Sequence, residues 1–117
     1  MSARVMFVDD SRTIRGQVRR TLENAEEDYI LVEKGDGIEA LQWISGCMNH
    51  ELPDVIVLDR NMPNMSGDEC IRILKKDNQW QRIPVLFLTA QTDISQLVLG
   101  LAELGADDYL PKPFDPD

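Results

Sequence analysis

Along this chain, short apolar runs alternate with stretches in which apolar residues return every three or four positions. The runs are VMFV (5–8), YILV (29–32), VIVL (55–58) and VLFL (85–88), with a weaker fifth, DYL, at 108–110. They are continuously apolar, as parallel strands covered on both faces are. Between them, Ile14, Val18, Leu22 and Ala25 form one stripe at helical spacing. Ala40, Leu41 and Ile44 form a second, and Cys70, Ile71 and Leu74 a third. The clearest is Ile94, Leu97, Val98, Leu101 and Leu104. The boundary residues agree: Asp10 or Ser11 can cap the first helix, Ser66 the third and Asp93 the fourth, and Gly105 ends the fourth.

Strands alternating with helices, joined by crossovers of this length, make a βαβ series and a parallel sheet with right-handed connections. The expected architecture is one α/β domain over residues 1–117. It has three layers and a doubly wound, five-stranded parallel sheet in the flavodoxin-like order 2-1-3-4-5. In that order ligands bind at the carboxyl ends of the strands, beside the switch point between strands 1 and 3.

Composition narrows the function classes. With 43% hydrophobic and 28% charged residues, 117 residues suit one packed core and not a disordered chain. A net charge of −9 argues against direct nucleic-acid binding and suits a site that holds a cation. Cys47 and Cys70 are far apart, with no CxxC or histidine cluster, and read as small core residues of a reducing compartment. No run resembles a signal peptide or approaches the roughly 20 apolar residues of a membrane span, so a cytoplasmic, membrane-free protein is expected.

The residues that end the apolar runs carry the chemistry. The first run ends in Asp9 and Asp10, the third in Asp59 and the fourth in Thr89, and the fifth leads into Lys112. Parallel strands bring these groups to one edge of the sheet. At an effective dielectric of about 20, two carboxylates about 4 Å apart repel by roughly 4 kcal/mol. Lys112 offsets part of that, and a divalent cation would neutralise the rest. Oxygen-only ligands select a hard ion, Mg²⁺ before Zn²⁺. Mg²⁺ keeps open coordination sites that can accept a phosphoryl oxygen. A metal, a lysine, a hydroxyl and a carboxylate placed to attack form a phosphoryl-transfer arrangement.

At this point the chain resembles a known family, the receiver domains of two-component response regulators. The motifs FVDDS, VLDRNMPNMSGDE, FLTA and GADDYLPKPF occur in the family's order and spacing and span nearly the whole chain. The resemblance implies that Asp59 is the phosphoacceptor, taking its phosphoryl group from a phosphohistidine on a sensor kinase or phosphotransfer protein. It implies that Asp9, Asp10, Asp59 and the backbone carbonyl of Asn61 arrange Mg²⁺, that Thr89 and Lys112 contact the phosphoryl oxygens, and that Tyr109 is the switch aromatic. It also implies that Ala90 leaves room for the phosphate, that Gly67 fits the turn after the acceptor loop, and that Asn61 and Gln91 tune the lifetime of the acyl phosphate. The Pro111–Lys112 bond resembles one that is cis in the family, and Ile14, Arg15 and Val18 correspond to its kinase contact.

Plainer readings exist. Asp10 could be only a helix cap, but Asp9 before it has no capping role, and the doublet favours a metal site. Thr89 alone would be a β-branched strand residue, Lys112 a solvated loop charge and Tyr109 an edge-strand core residue. Trp43 is expected to pack, Trp80 in DNQWQR could serve the surface or a partner, and His50 carries no reading. Two rival functions are weaker. A haloacid-dehalogenase-type phosphatase wants a second aspartate two residues after its nucleophile, where this chain has Asn61. A flavodoxin would find its phosphate repelled by DDS. The expectation is a signalling phosphoacceptor with only self-phosphorylation and self-dephosphorylation chemistry, not an enzyme with a separate substrate.

The family closes with a fifth helix after KPF, whereas this sequence reads KPFDPD. Asp115 and Pro116 make a good helix start. The expectation is therefore an excerpt of a longer regulator, or a homodimer in which a second copy covers the apolar strip that the last helix would cover.

Overall fold

A computed structural model describes residues 3–26, 28–60, 62–89 and 108–111, with backbone alone for Asn49, Thr89 and residues 108–111. The elements run β1 (Ala3–Val8), α1 (Arg12–Glu23), β2 (Tyr29–Lys34), α2 (Gly37–Ser45), β3 (Val55–Asp59), α3 (Gly67–Lys76), β4 (Val85–Thr89) and β5 (Asp108–Pro111). Single 3₁₀ turns at Asn49–Glu51 and Trp80–Arg82 lead into β3 and β4. The strands are parallel, and their order β2-β1-β3-β4 is the one expected from the pattern of runs. β5 lies outside β4, with Leu86 beside Asp108 and Thr89 beside Pro111. The helix expected over 94–104, with its caps Asp93 and Gly105, lies outside the described residues.

The winding reverses after β2, so right-handed crossovers put α1 on one face of the sheet and α2 and α3 on the other. The period-2 alternation of the strands sorts their side chains accordingly. Met6, Val8, Ile56, Leu58, Val85 and Phe87 are buried against Ala40 and Ile44 of α2 and Cys70, Ile71 and Leu74 of α3. Each large side chain here contributes roughly 1.5–3 kcal/mol by leaving water. On the alternate face Phe7 and Leu88 are fully buried, while Val5, Val57 and Leu86 are half-buried.

Three expectations change. β2 was read as covered on both faces, yet Tyr29 and Ile30 are exposed, because β2 is an outer strand and they open it. Trp80, for which a surface or partner role was left open, is half-buried. It packs against the core cluster, and its backbone N–H donates to Asp77 Oδ1 at 2.9 Å. Cys70 is in the core, where burial pushes its thiol up to about 12, but Cys47 is only half-buried, its Sγ 3.3 Å from the Trp43 carbonyl. Trp43 packs on the core as expected, and His50 is exposed.

Candidate functional site

The sheet register explains why acids end the strands. Val8 pairs with Leu58 and Asp59 with Leu88, so Asp9 and Asp59 stand at the same level at the ends of β1 and β3, with Thr89 one residue further along β4. Asp9, Asp10 and Asp59 each offer a carboxylate oxygen, and these atoms lie within 4.8 Å of one another. Asp9 and Asp59 are buried, at 0% and 3% exposure, whereas Asp10 is exposed. At that separation each pair costs roughly 3.5 kcal/mol at an effective dielectric near 20, less for pairs involving the solvated Asp10. The donor set is entirely oxygen, which fits a hard divalent cation and not zinc or copper.

The end of β1 is held from two sides. The Asp9 backbone N–H continues the ladder to the Lys34 carbonyl at 3.1 Å, and the Arg15 guanidinium donates to the Asp9 carbonyl. Asp9 Oδ1 accepts the Ser11 N–H at 2.8 Å, and Ser11, not Asp10, caps α1 by accepting the Ile14 N–H. Asp10 is thus released from capping. Arg15 lies 3.6 Å from Glu33, which Arg19 grips with two bonds of 2.7 and 2.8 Å. That fork holds the Glu33 carboxyl below its ordinary range. Arg15, expected to face a kinase, is committed at least in part to the strand end.

The loop after Asp59 is strapped down at several points that the sequence reading passed over. The Arg60 N–H donates to the Leu88 carbonyl at 3.2 Å, and the Gly67 N–H donates to the Arg60 carbonyl at 2.9 Å. Arg60 forks onto Asp68 at 2.9 and 3.0 Å. Asn64 sits in the left-handed region at φ 67°, which asparagine tolerates, and its Nδ2 donates to Asp36 Oδ2 at 2.9 Å. Asp36 is buried and also caps α2 by accepting the Glu39 N–H at 2.9 Å. The spacing Asp36-x-x-Glu39 is a capping-box pattern that could have been read in advance.

The Glu39 N–H foremost, and then Asn64, hold the Asp36 carboxyl below its ordinary value. A depressed folded-state pKa contributes stability above the unfolded value of about 3.9, and that contribution is lost as pH falls through the lower folded value. Asp36→Ala is expected to cost about 1–2 kcal/mol near neutral pH, the loss of a cap. Urea unfolding of both proteins at several pH values checks this: the gap should be constant above about pH 5 and narrow below about pH 4. A pH-independent gap would contradict it.

Thr89 is the last residue of β4 and Tyr109 lies in β5, where it pairs with Phe87 in the ladder. Asn61, Ala90, Gln91 and Lys112 lie outside the described residues, as does the bond joining Pro111 to Lys112. Among the described residues, the structure brings together Asp9, Asp10 and Asp59.

The profile of the response regulator receiver domain matches residues 5–117. This chain belongs to that receiver-domain family. The response regulator MprA of Mycobacterium ulcerans is 42% identical over 114 residues, covering 97% of this chain and 45% of MprA. The chain thus spans about half the length of the curated relatives it matches. The chemotaxis response regulator CheY4 of Vibrio cholerae superimposes with a TM-score of 0.87 at 37% identity, covering 99% of this chain and 91% of CheY4. The Mn²⁺-bound form of response regulator Rcp1 gives 0.85 at 27% identity, over 97% of this chain and 83% of Rcp1. A receiver domain of a two-component system accounts for both the acidic edge and the flavodoxin-like sheet. No helix among the described residues is long and apolar enough to cross a membrane.

Proposed function

We propose that this receiver domain accepts a phosphoryl group on Asp59 from a phosphohistidine of a sensor kinase or phosphotransfer protein, and that Mg²⁺ supports the transfer. The observation that carries this reading is the convergence of the Asp9, Asp10 and Asp59 carboxylate oxygens within 4.8 Å at the end of a receiver-family sheet. Asp9, Asp10, Asp59 and the Asn61 carbonyl would hold the ion. Bound there, it supplies positive charge to the phosphoryl oxygens and offsets the mutual repulsion of the acids.

In the transfer an Asp59 oxygen attacks phosphorus, a P–O bond forms, and the P–N bond to the donor imidazole breaks. Thr89 and Lys112 would contact the phosphoryl oxygens, and Tyr109 would report the change to the neighbouring surface. The Mn²⁺-bound neighbour supports a divalent ion in a fold of this kind. We read the chain as a cytoplasmic signalling module that turns over no separate substrate, with α1 as the helix facing its partner.

Incubation with acetyl phosphate tests the reading by intact mass. One phosphoryl adduct per chain is expected in Mg²⁺ and none in chelator. Equal labelling in both would contradict the role of the metal.

A further inference from the structure

We propose that the Arg60–Asp68 ion pair is a positioning device for the acidic site. It fixes the loop leaving Asp59 against the first turn of α3, and so sets how well the carboxylates are arranged for a cation. The proposal rests on the receiver reading above and adds two residues to that site.

Arg60 directly follows Asp59 and is 8% exposed. Its amide is tied to β4 at Leu88 and its carbonyl to the first residue of α3, Gly67. Its Nε and Nη2 reach Asp68 Oδ1 and Oδ2 at 2.9 and 3.0 Å, and the guanidinium lies 5.1 Å from the centroid of the Phe87 ring. Backbone and side chain of residue 60 are therefore tied to the same two elements, β4 and α3.

An apolar side chain could fill the space over Phe87, and a buried ion pair is often no more stabilising than such a replacement. What two parallel charge-assisted bonds add is direction. Asp68 is also the second residue of α3, where the helix N-terminus favours a carboxylate. Direction matters here because three like charges at the strand ends push one another apart. A loop free to yield would relax that strain by opening the site, and the cation would then have to reassemble it.

The test uses the whole chain, with three readouts: thermal unfolding in chelator, Mg²⁺ affinity by calorimetry, and the rate of labelling by acetyl phosphate at saturating Mg²⁺. Asp68→Asn keeps the shape and loses the charged fork, and Arg60→Lys keeps the charge and loses the fork. Each is expected to weaken Mg²⁺ binding and slow labelling about tenfold, the scale of losses when groups that orient metal ligands are removed. Asp68→Glu should recover part of both. Asp54→Ala serves as the control: it removes the acceptor of the Arg4 N–H at the opposite end of the strands. It should lower the melting temperature with both site readouts intact.

Asp68→Asn and Arg60→Lys chains that are less stable yet bind Mg²⁺ and label like wild type would overturn the proposal and leave the receiver reading standing. A wild-type chain that binds no Mg²⁺ would overturn both.

Discussion

Replacing Gly67 by alanine is expected to lower the free energy of unfolding by about 3 kcal/mol, at the upper end of overpacking costs. A Cβ at residue 67 would stand 2.3 Å from the Asp59 carbonyl oxygen, 2.7 Å from Arg60 Cα and 3.0 Å from the Asp59 carbonyl carbon. All three are backbone atoms of the acceptor strand and its exit, so no side-chain rotation relieves the clash. Either α3 or the end of β3 must move. Because Asp59 is on the moving segment, weaker Mg²⁺ binding should accompany the loss of stability. Gly16→Ala is the contrast. Its Cβ meets only Arg20 Nη1, at an ordinary 3.5 Å, inside α1. There alanine should raise stability by about 0.5–1 kcal/mol, the usual gain over glycine within a helix. Urea unfolding of the three proteins checks both signs, and equal effects at the two positions would show that the contact of Gly67 with β3 is not tight.

The second large effect is a reversal of order. In chelator, Asp59→Asn is expected to be more stable than wild type by about 1–2 kcal/mol, because one of three crowded charges is gone and the exposed Asp10 screens part of the gain. In Mg²⁺ the order should invert. At a hundredfold excess over its dissociation constant, a bound ion adds about 2.7 kcal/mol to wild type, and the variant, with a neutral ligand, should gain much less. Thermal unfolding of both proteins in chelator and in Mg²⁺ gives the four values needed. Parallel shifts of the two proteins on adding Mg²⁺ would mean that Asp59 is not part of the cation site.

The sequence was legible where one physical signal dominated. Continuous apolar runs located β1 to β4, and the acids ending two of them located the site, because parallel strands leave a single edge for their carboxyl ends. What escaped were residues whose roles depend on a partner far along the chain. Asp36 and Asn64 are 28 residues apart and share a hydrogen bond. Arg60 and Asp68 drew no reading of their own from the sequence, because only the folded loop buries the guanidinium and brings the two together. Trp80 was left open because its polar neighbours in DNQWQR suggest solvent, whereas the indole is half-buried against the core cluster. β2 was misread. Its apolar run matches the inner strands in composition, and only its outer place in the sheet exposes Tyr29 and Ile30.

On the proposed reading a single carboxylate, Asp59, receives the phosphoryl group. The chain is treated with acetyl phosphate in Mg²⁺ and then with borohydride, which reduces an acyl phosphate to the alcohol and so turns that aspartate into homoserine. Tandem mass spectrometry of the digest locates the change. Homoserine at position 59 alone, absent in chelator, is the predicted result; homoserine at position 9 or 10, or at 59 to the same extent in chelator, would contradict it.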